Sequence, residues 1–258
     1  MSPVLPGGCH HHYTGKIDSS HRFLGVKMKE IIQKYRFLTI SLILVAVALF
    51  IYIGGEFPRR TILKEAFSLV TILSFVLMIG QFFLSRGYRA ITLTGKMSTI
   101  VKAHKFIGYL FTTILFVHPF LIVLPRYFEG GVQPLDALWT ILTTLNNPGV
   151  VVGILAWLFM IVLTLTSFLR TRLFAAYKGW RWFHGVLSLA FISLAAWHVI
   201  YLGRHSNLVM KWFVVIMTIG GIDILLYTYL TENAKKRGLH RWVQQEKKIQ
   251  LAEENSSL

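Results

Sequence analysis

Four histidines in this chain form two pairs of identical separation. His104 opens the run His104-Lys105-Phe106-Ile107-Gly108, and His118-Pro119 follows fourteen residues on. His184 stands in Trp182-Phe183-His184-Gly185, and fourteen residues on comes Trp197-His198-Val199. On a helix that interval falls about 40° short of four full turns and spans about 21 Å along the axis. Both histidines of a run therefore share one face, near opposite ends of a bilayer-length helix. A lone histidine in such a place reads as an interfacial residue or a helix-to-helix hydrogen bond. Two pairs with one spacing read as ligands, because polar groups in lipid are costly and usually functional.

The elements that position these side chains are apolar and long. Of the 258 residues, 54% are hydrophobic and 15% charged, whereas soluble domains carry roughly a quarter charged. Six stretches approach spanning length: Phe37 to Ile53, Ala66 to Leu84, Ile107 to Leu124, Val150 to Phe168, Phe183 to Leu202 and Trp212 to Leu230. The first is at the short limit of the ~17–25 residues a span requires. Backbone amides in lipid must be bonded internally, so these runs predict helices. The expectation is an all-α, six-helix transmembrane bundle over residues 37–232. A mostly disordered segment (1–36) precedes it and a charged tail (233–258), long enough for only a short surface helix, follows. Pro125 is read as closing the third span, Asn147-Pro148 as opening the fourth with a cap and a first-turn proline, and Gly203 as ending the fifth.

A formal charge of +16 suggests nucleic acid until its distribution is considered. With the amino terminus inside, loops 54–65, 125–149 and 203–211 face outward and hold Arg59, Arg60, Lys64, Arg126, Arg204 and Lys211. The other 21 of the 27 basic residues lie on the inner side. That bias places both termini in the cytoplasm, with cations against anionic lipid, in a bacterial inner membrane; no nucleic-acid partner is expected. The third and fifth spans then run parallel, so that His104 is level with His184 on the inner side and His118 with His198 on the outer. Facing imidazoles at one depth suit the iron of a flat porphyrin wedged between helices, which predicts two sites for haem b.

The pattern of two histidines fourteen apart on the third and fifth of six spans resembles the ferric reductase-like transmembrane domain, over roughly residues 65 to 232. The resemblance implies an oxidoreductase or electron-transfer subunit. Electrons would enter from a cytoplasmic reduced flavin, pass from the inner haem (His104, His184) to the outer (His118, His198), and leave to an outside acceptor. The sequence departs from the larger members in lacking flavin and nicotinamide domains and any G-x-G-x-x-G opening a helix. It is nearer in size to the haem subunit of periplasmic methionine sulfoxide reductase. The implied partners are a cytoplasmic flavoprotein or flavin reductase carrying the flavin, and a ferric chelate or a periplasmic or extracellular reductase as acceptor.

Other residues fit less specifically. Gly108 and Gly185 suit either a close porphyrin face or helix packing. Lys102, Lys105 and Arg181 inside, and Arg126, Arg204 and His205 outside, suit haem propionates or lipid anchoring. Trp180, Trp182 and Trp212 read as an aromatic belt. Asp223 is a lone intramembrane acid, read either as a proton carrier or as the partner of a buried basic or hydroxyl group. Cys9 alone excludes an intramolecular disulfide or a cysteine-ligated cluster. Cys9-His10-His11-His12 reads as tail rather than metal site, residues 1–27 lack a secretory signal, and translation is expected to start at Met28. The rival function is a proton or metal transporter using the same histidines, although two imidazoles per level are too few for a closed zinc site. A haem-bearing anchor for a larger complex is a further alternative.

Overall fold

A computed structural model describes residues 35, 38–58, 60–84 and 97–256. The chain divides into two compact units, 1–40 and 41–258. Within the first, Thr39 Oγ1 donates to the Tyr35 carbonyl at 2.7 Å. Cys9 to His12, Met28 and the basic stretch Arg86 to Lys96 lie outside the described residues.

All regular structure among the described residues is helical. In chain order it comprises α1 (Leu38–Ile53), α2 (Ile62–Phe82), α3 (Met97–Gly130), α4 (Pro134–Thr143), α5 (Pro148–Phe168), α6 (Arg170–Leu173), α7 (Tyr177–Leu202) and α8 (Leu208–Ser256). Five of these, α2, α3, α5, α7 and α8, contain stretches long and apolar enough to cross a membrane, while α1 is shorter.

Two boundaries differ from the sequence expectation. Pro125 does not close the third span: α3 runs through Pro119 and Pro125 to Gly130. A proline inside a membrane helix frees one carbonyl, which neighbouring helices and local adjustment can satisfy. The helix ends instead where Gly131 takes φ 66° and its N–H bonds the Tyr127 carbonyl at 3.0 Å, a left-handed terminus that glycine adopts without steric cost. The charged tail is not a separate short helix either, because α8 continues to Ser256. From Thr231 the chain has no proline and is rich in Ala, Glu, Lys, Gln and Arg. These are strong helix formers extending an already nucleated helix.

The expected caps are present. Asn147 Oδ1 accepts from Gly149 N at 3.0 Å with Pro148 in the first turn of α5, and Gly203 caps α7. The core forms where α2 (Phe75, Ile79), α5 (Ala156, Met160), α7 (Phe191, Ile192, Ala195, Ala196) and α8 (Met210, Val214) meet. Helix α3 packs on α2 and α5 but gives that core only the partly buried Leu115. The helix bearing His104 and His118 thus flanks the packed centre.

Candidate functional site

The inner pair meets across the gap between α3 and α7. The His104 and His184 rings stand with centroids 6.4 Å apart and planes at 79°. Two metal–nitrogen bonds of about 2 Å, with roughly 1 Å more from each nitrogen to its ring centre, would set the ring centres of two imidazoles sharing one metal ion about 6 Å apart. The spacing fits one iron between the rings. Ser167 Oγ of α5 lies 3.2 Å from His184 Nδ1, and the Gln81 amide of α2 reaches His104 Nδ1 at 2.6 Å. Trp180, assigned from sequence to a lipid-facing belt, packs on His184 with ring centroids 5.0 Å apart. The Arg170 guanidinium covers the Trp180 ring at 5.1 Å from its centroid, so this indole belongs to the inner site.

The outer pair lines one cavity. His118 and His198 share a half-open cavity of about 880 Å³ whose walls are mainly apolar. Its lining includes Arg60, Lys64, Arg126, Arg204 and His205. Apolar walls with a cationic margin suit a flat hydrophobic group carrying carboxylates. His198 Nδ1 lies 2.8 Å from the Gly149 carbonyl; Nδ1 therefore carries the proton and Nε2 keeps its lone pair for a metal. His118 Nδ1 is enclosed and has no hydrogen-bond partner among the described residues. A Cβ at Gly153 would collide with the His198 ring, so glycine there lets α5 approach α7 closely enough to seat the imidazole. Residues Gly149 and Gly153, four apart, form the small-residue spacing typical of close membrane-helix contacts.

At the same end lies a second constellation. His205, 5% exposed, has Nε2 3.3 Å from Glu65 Oε2, outside hydrogen-bond geometry. Glu65 also accepts a hydrogen bond from the Tyr52 hydroxyl, and the Tyr52 and Phe57 rings pack on the His205 imidazole at 4.5 and 4.7 Å. Burial holds the His205 pKa below its ordinary value; Arg60 and Arg204 act in the same direction, against Glu65. Lys64 pairs with Glu129.

Several sequence expectations change here. Gly108 faces the Gln81 amide, which a Cβ would meet at an ordinary 3.7 Å, and Gly185 faces Tyr229 of α8, whose hydroxyl a Cβ would strike. Tyr229 Oη donates to the Arg181 carbonyl at 2.8 Å. Both glycines therefore sit at helix packing contacts. Arg181 is paired with Glu232, while Lys102 and Lys105 are exposed. Asp223 is exposed. Gln81, Ser167 and Gly153 were not singled out in the sequence, where each resembles an ordinary packing residue; Trp180 was read only as a belt residue, and Arg60 and Lys64 only as outward-facing loop cations.

The histidine geometry leads to comparison with known proteins. The family pattern described as "Ferric reductase like transmembrane component" matches residues 70–195. An uncharacterized protein of Archaeoglobus fulgidus is 45% identical over 188 residues, covering 73% of this chain and all of that protein. The chain belongs to the ferric reductase-like transmembrane family. Membership makes it an integral membrane protein of a family concerned with electron transfer. Within this ferric reductase-like chain, the matched region includes His104, His118 and His184 and stops just before His198. No solved structure matches it.

Proposed function

We propose that this ferric reductase-like protein is a b-type cytochrome that relays electrons across the membrane through two bis-histidine haems. His104 with His184 would hold the inner haem, and His118 with His198 the outer. The 6.4 Å separation of the inner rings carries the reading, and the His198 contact with a backbone carbonyl supports it at the outer end. Bound haem supplies a one-electron ferric–ferrous couple whose potential depends on ligands, burial and hydrogen bonds. The chain's own residues fix the rest. Ser167 and Gly149 orient imidazoles, apolar side chains of α2, α3, α5 and α7 exclude water, and the outer cations balance carboxylates.

In this reading α1 completes six spans and both termini face the cytoplasm, in the cytoplasmic membrane of a bacterium or other prokaryote. The donor is a cytoplasmic flavoprotein or flavin reductase. The acceptor is a ferric chelate or an extracytoplasmic reductase docked at the outer end. A metal transporter is less well supported, since no group of three or more His, Cys, Asp or Glu converges among the described residues.

Haem per chain and a redox titration test the proposal. The expected result is a red preparation with a b-type α-band on reduction and two haems titrating separately. A colourless protein from haem-replete cells, especially one carrying stoichiometric zinc, overturns it.

A further inference from the structure

The four histidines differ in what holds Nδ1. His198 has a backbone carbonyl, His184 a serine hydroxyl, and His118 no hydrogen-bond partner for this atom among the described residues. His104 has a side-chain amide from another helix. Gln81 lies on α2 and is 6% exposed, within a segment long and apolar enough to span a membrane. A buried amide in such a place is costly unless its donors and acceptor are satisfied. With its nitrogen toward the ring, the amide donates to His104 Nδ1 at 2.6 Å and to the His104 carbonyl at 3.2 Å, while its oxygen accepts from Gly108 N at 3.2 Å. Turned over, the same amide places its oxygen at Nδ1 and beside the His104 carbonyl, with its nitrogen beside Gly108 N and 3.4 Å from Met78 Sδ.

We propose that Gln81 is a positioning residue for the inner haem: its amide clamps the His104 ring and, when iron is bound, accepts the Nδ1 proton's hydrogen bond and lowers that haem's midpoint potential. The inference rests on the bis-histidine reading and adds a residue to it. Iron at Nε2 requires the proton on Nδ1, and Nδ1–H can only donate. Ligation therefore selects the orientation with the Gln81 oxygen toward the ring. A carbonyl accepting that proton makes the imidazole a more basic ligand, which favours ferric over ferrous iron. The reversal exchanges the contacts with the His104 carbonyl and Gly108 N for the ring's hydrogen bond and the Met78 Sδ contact, so it is favoured only once Nδ1 carries the proton.

The test uses full-length protein carrying His118→Ala, in which only the inner haem remains. Gln81→Met keeps the volume and removes both hydrogen-bonding ends; Gln81→Glu keeps the shape and offers only a stronger acceptor. The expected result is unchanged haem content in both, with the midpoint raised in Gln81→Met and lowered in Gln81→Glu. Opposite shifts would not come from a merely structural disturbance. If the glutamate variant does not accumulate, the methionine variant decides alone. An unaltered midpoint and ferric low-spin spectrum in Gln81→Met, or a shift of the same sign in both variants, overturns the inference. A parent protein with two filled sites but an inert Gln81 rejects this inference alone, whereas a parent without haem rejects the bis-histidine reading itself.

Discussion

His198 and Gly149 are joined by a 2.8 Å contact between imidazole Nδ1 and a backbone carbonyl at the start of α5. The carbonyl cannot donate, so the ring must, and the other nitrogen is left with its lone pair. This contact exists because Gly153, one turn on, has no side chain where the imidazole lies.

Gly153→Ala should therefore disturb the outer site. We expect its haem content to fall toward that of His198→Ala. Gly108→Ala, whose Cβ would meet the Gln81 amide at 3.7 Å, should retain full content. Pyridine haemochrome assays per chain compare them; equal, full loading of both variants would refute the close-approach argument.

The pairing makes a separate prediction about double variants. His104→Ala and His184→Ala should each remove one and the same haem, and combining them should remove no more. Pairing His104→Ala with His198→Ala should leave no haem at all. Residues acting as one unit are non-additive in this manner. Two spectrally distinct haems lost by His104→Ala and His184→Ala would break the assignment.

His205 predicts how stability responds to pH. Its folded-state pKa lies below the ordinary ~6.5 because burial disfavours the imidazolium. Between the two values the unfolded chain binds more protons, so stability rises with pH there. Acidification below about pH 6.5 should lower the unfolding temperature in detergent, and His205→Gln should reduce that dependence. Identical slopes from pH 8 to 5 in parent and variant would remove His205 from the account.

Asn147→Ala should cost about 0.5–2 kcal/mol through loss of the α5 cap, and Asn147→Ser should recover most of it. The measurement is the unfolding midpoint of each variant; indistinguishable Ala and Ser variants would mean that the Gly149 N–H contact contributes little.

The sequence by itself determined the membrane class, the approximate spans and the four histidines. Each is a one-dimensional property: apolar run length, charge bias, and a spacing that helix geometry turns into a shared face. The Asn147 cap and the Gly203 terminus were legible for the same reason, being local. Pro125 misled because proline disfavours helix continuation in general, while the end of α3 was set by Gly131, six residues further on. What only the tertiary structure decided is which groups stand behind the ligands. Gln81, Ser167 and Gly153 lie on helices other than those of the histidines they touch, and no periodicity within α2 or α5 shows which face of a neighbour each will meet. Helix rotation and closeness of approach, fixed by packing of the whole bundle, put an amide against His104, a hydroxyl against His184 and a bare backbone against His198.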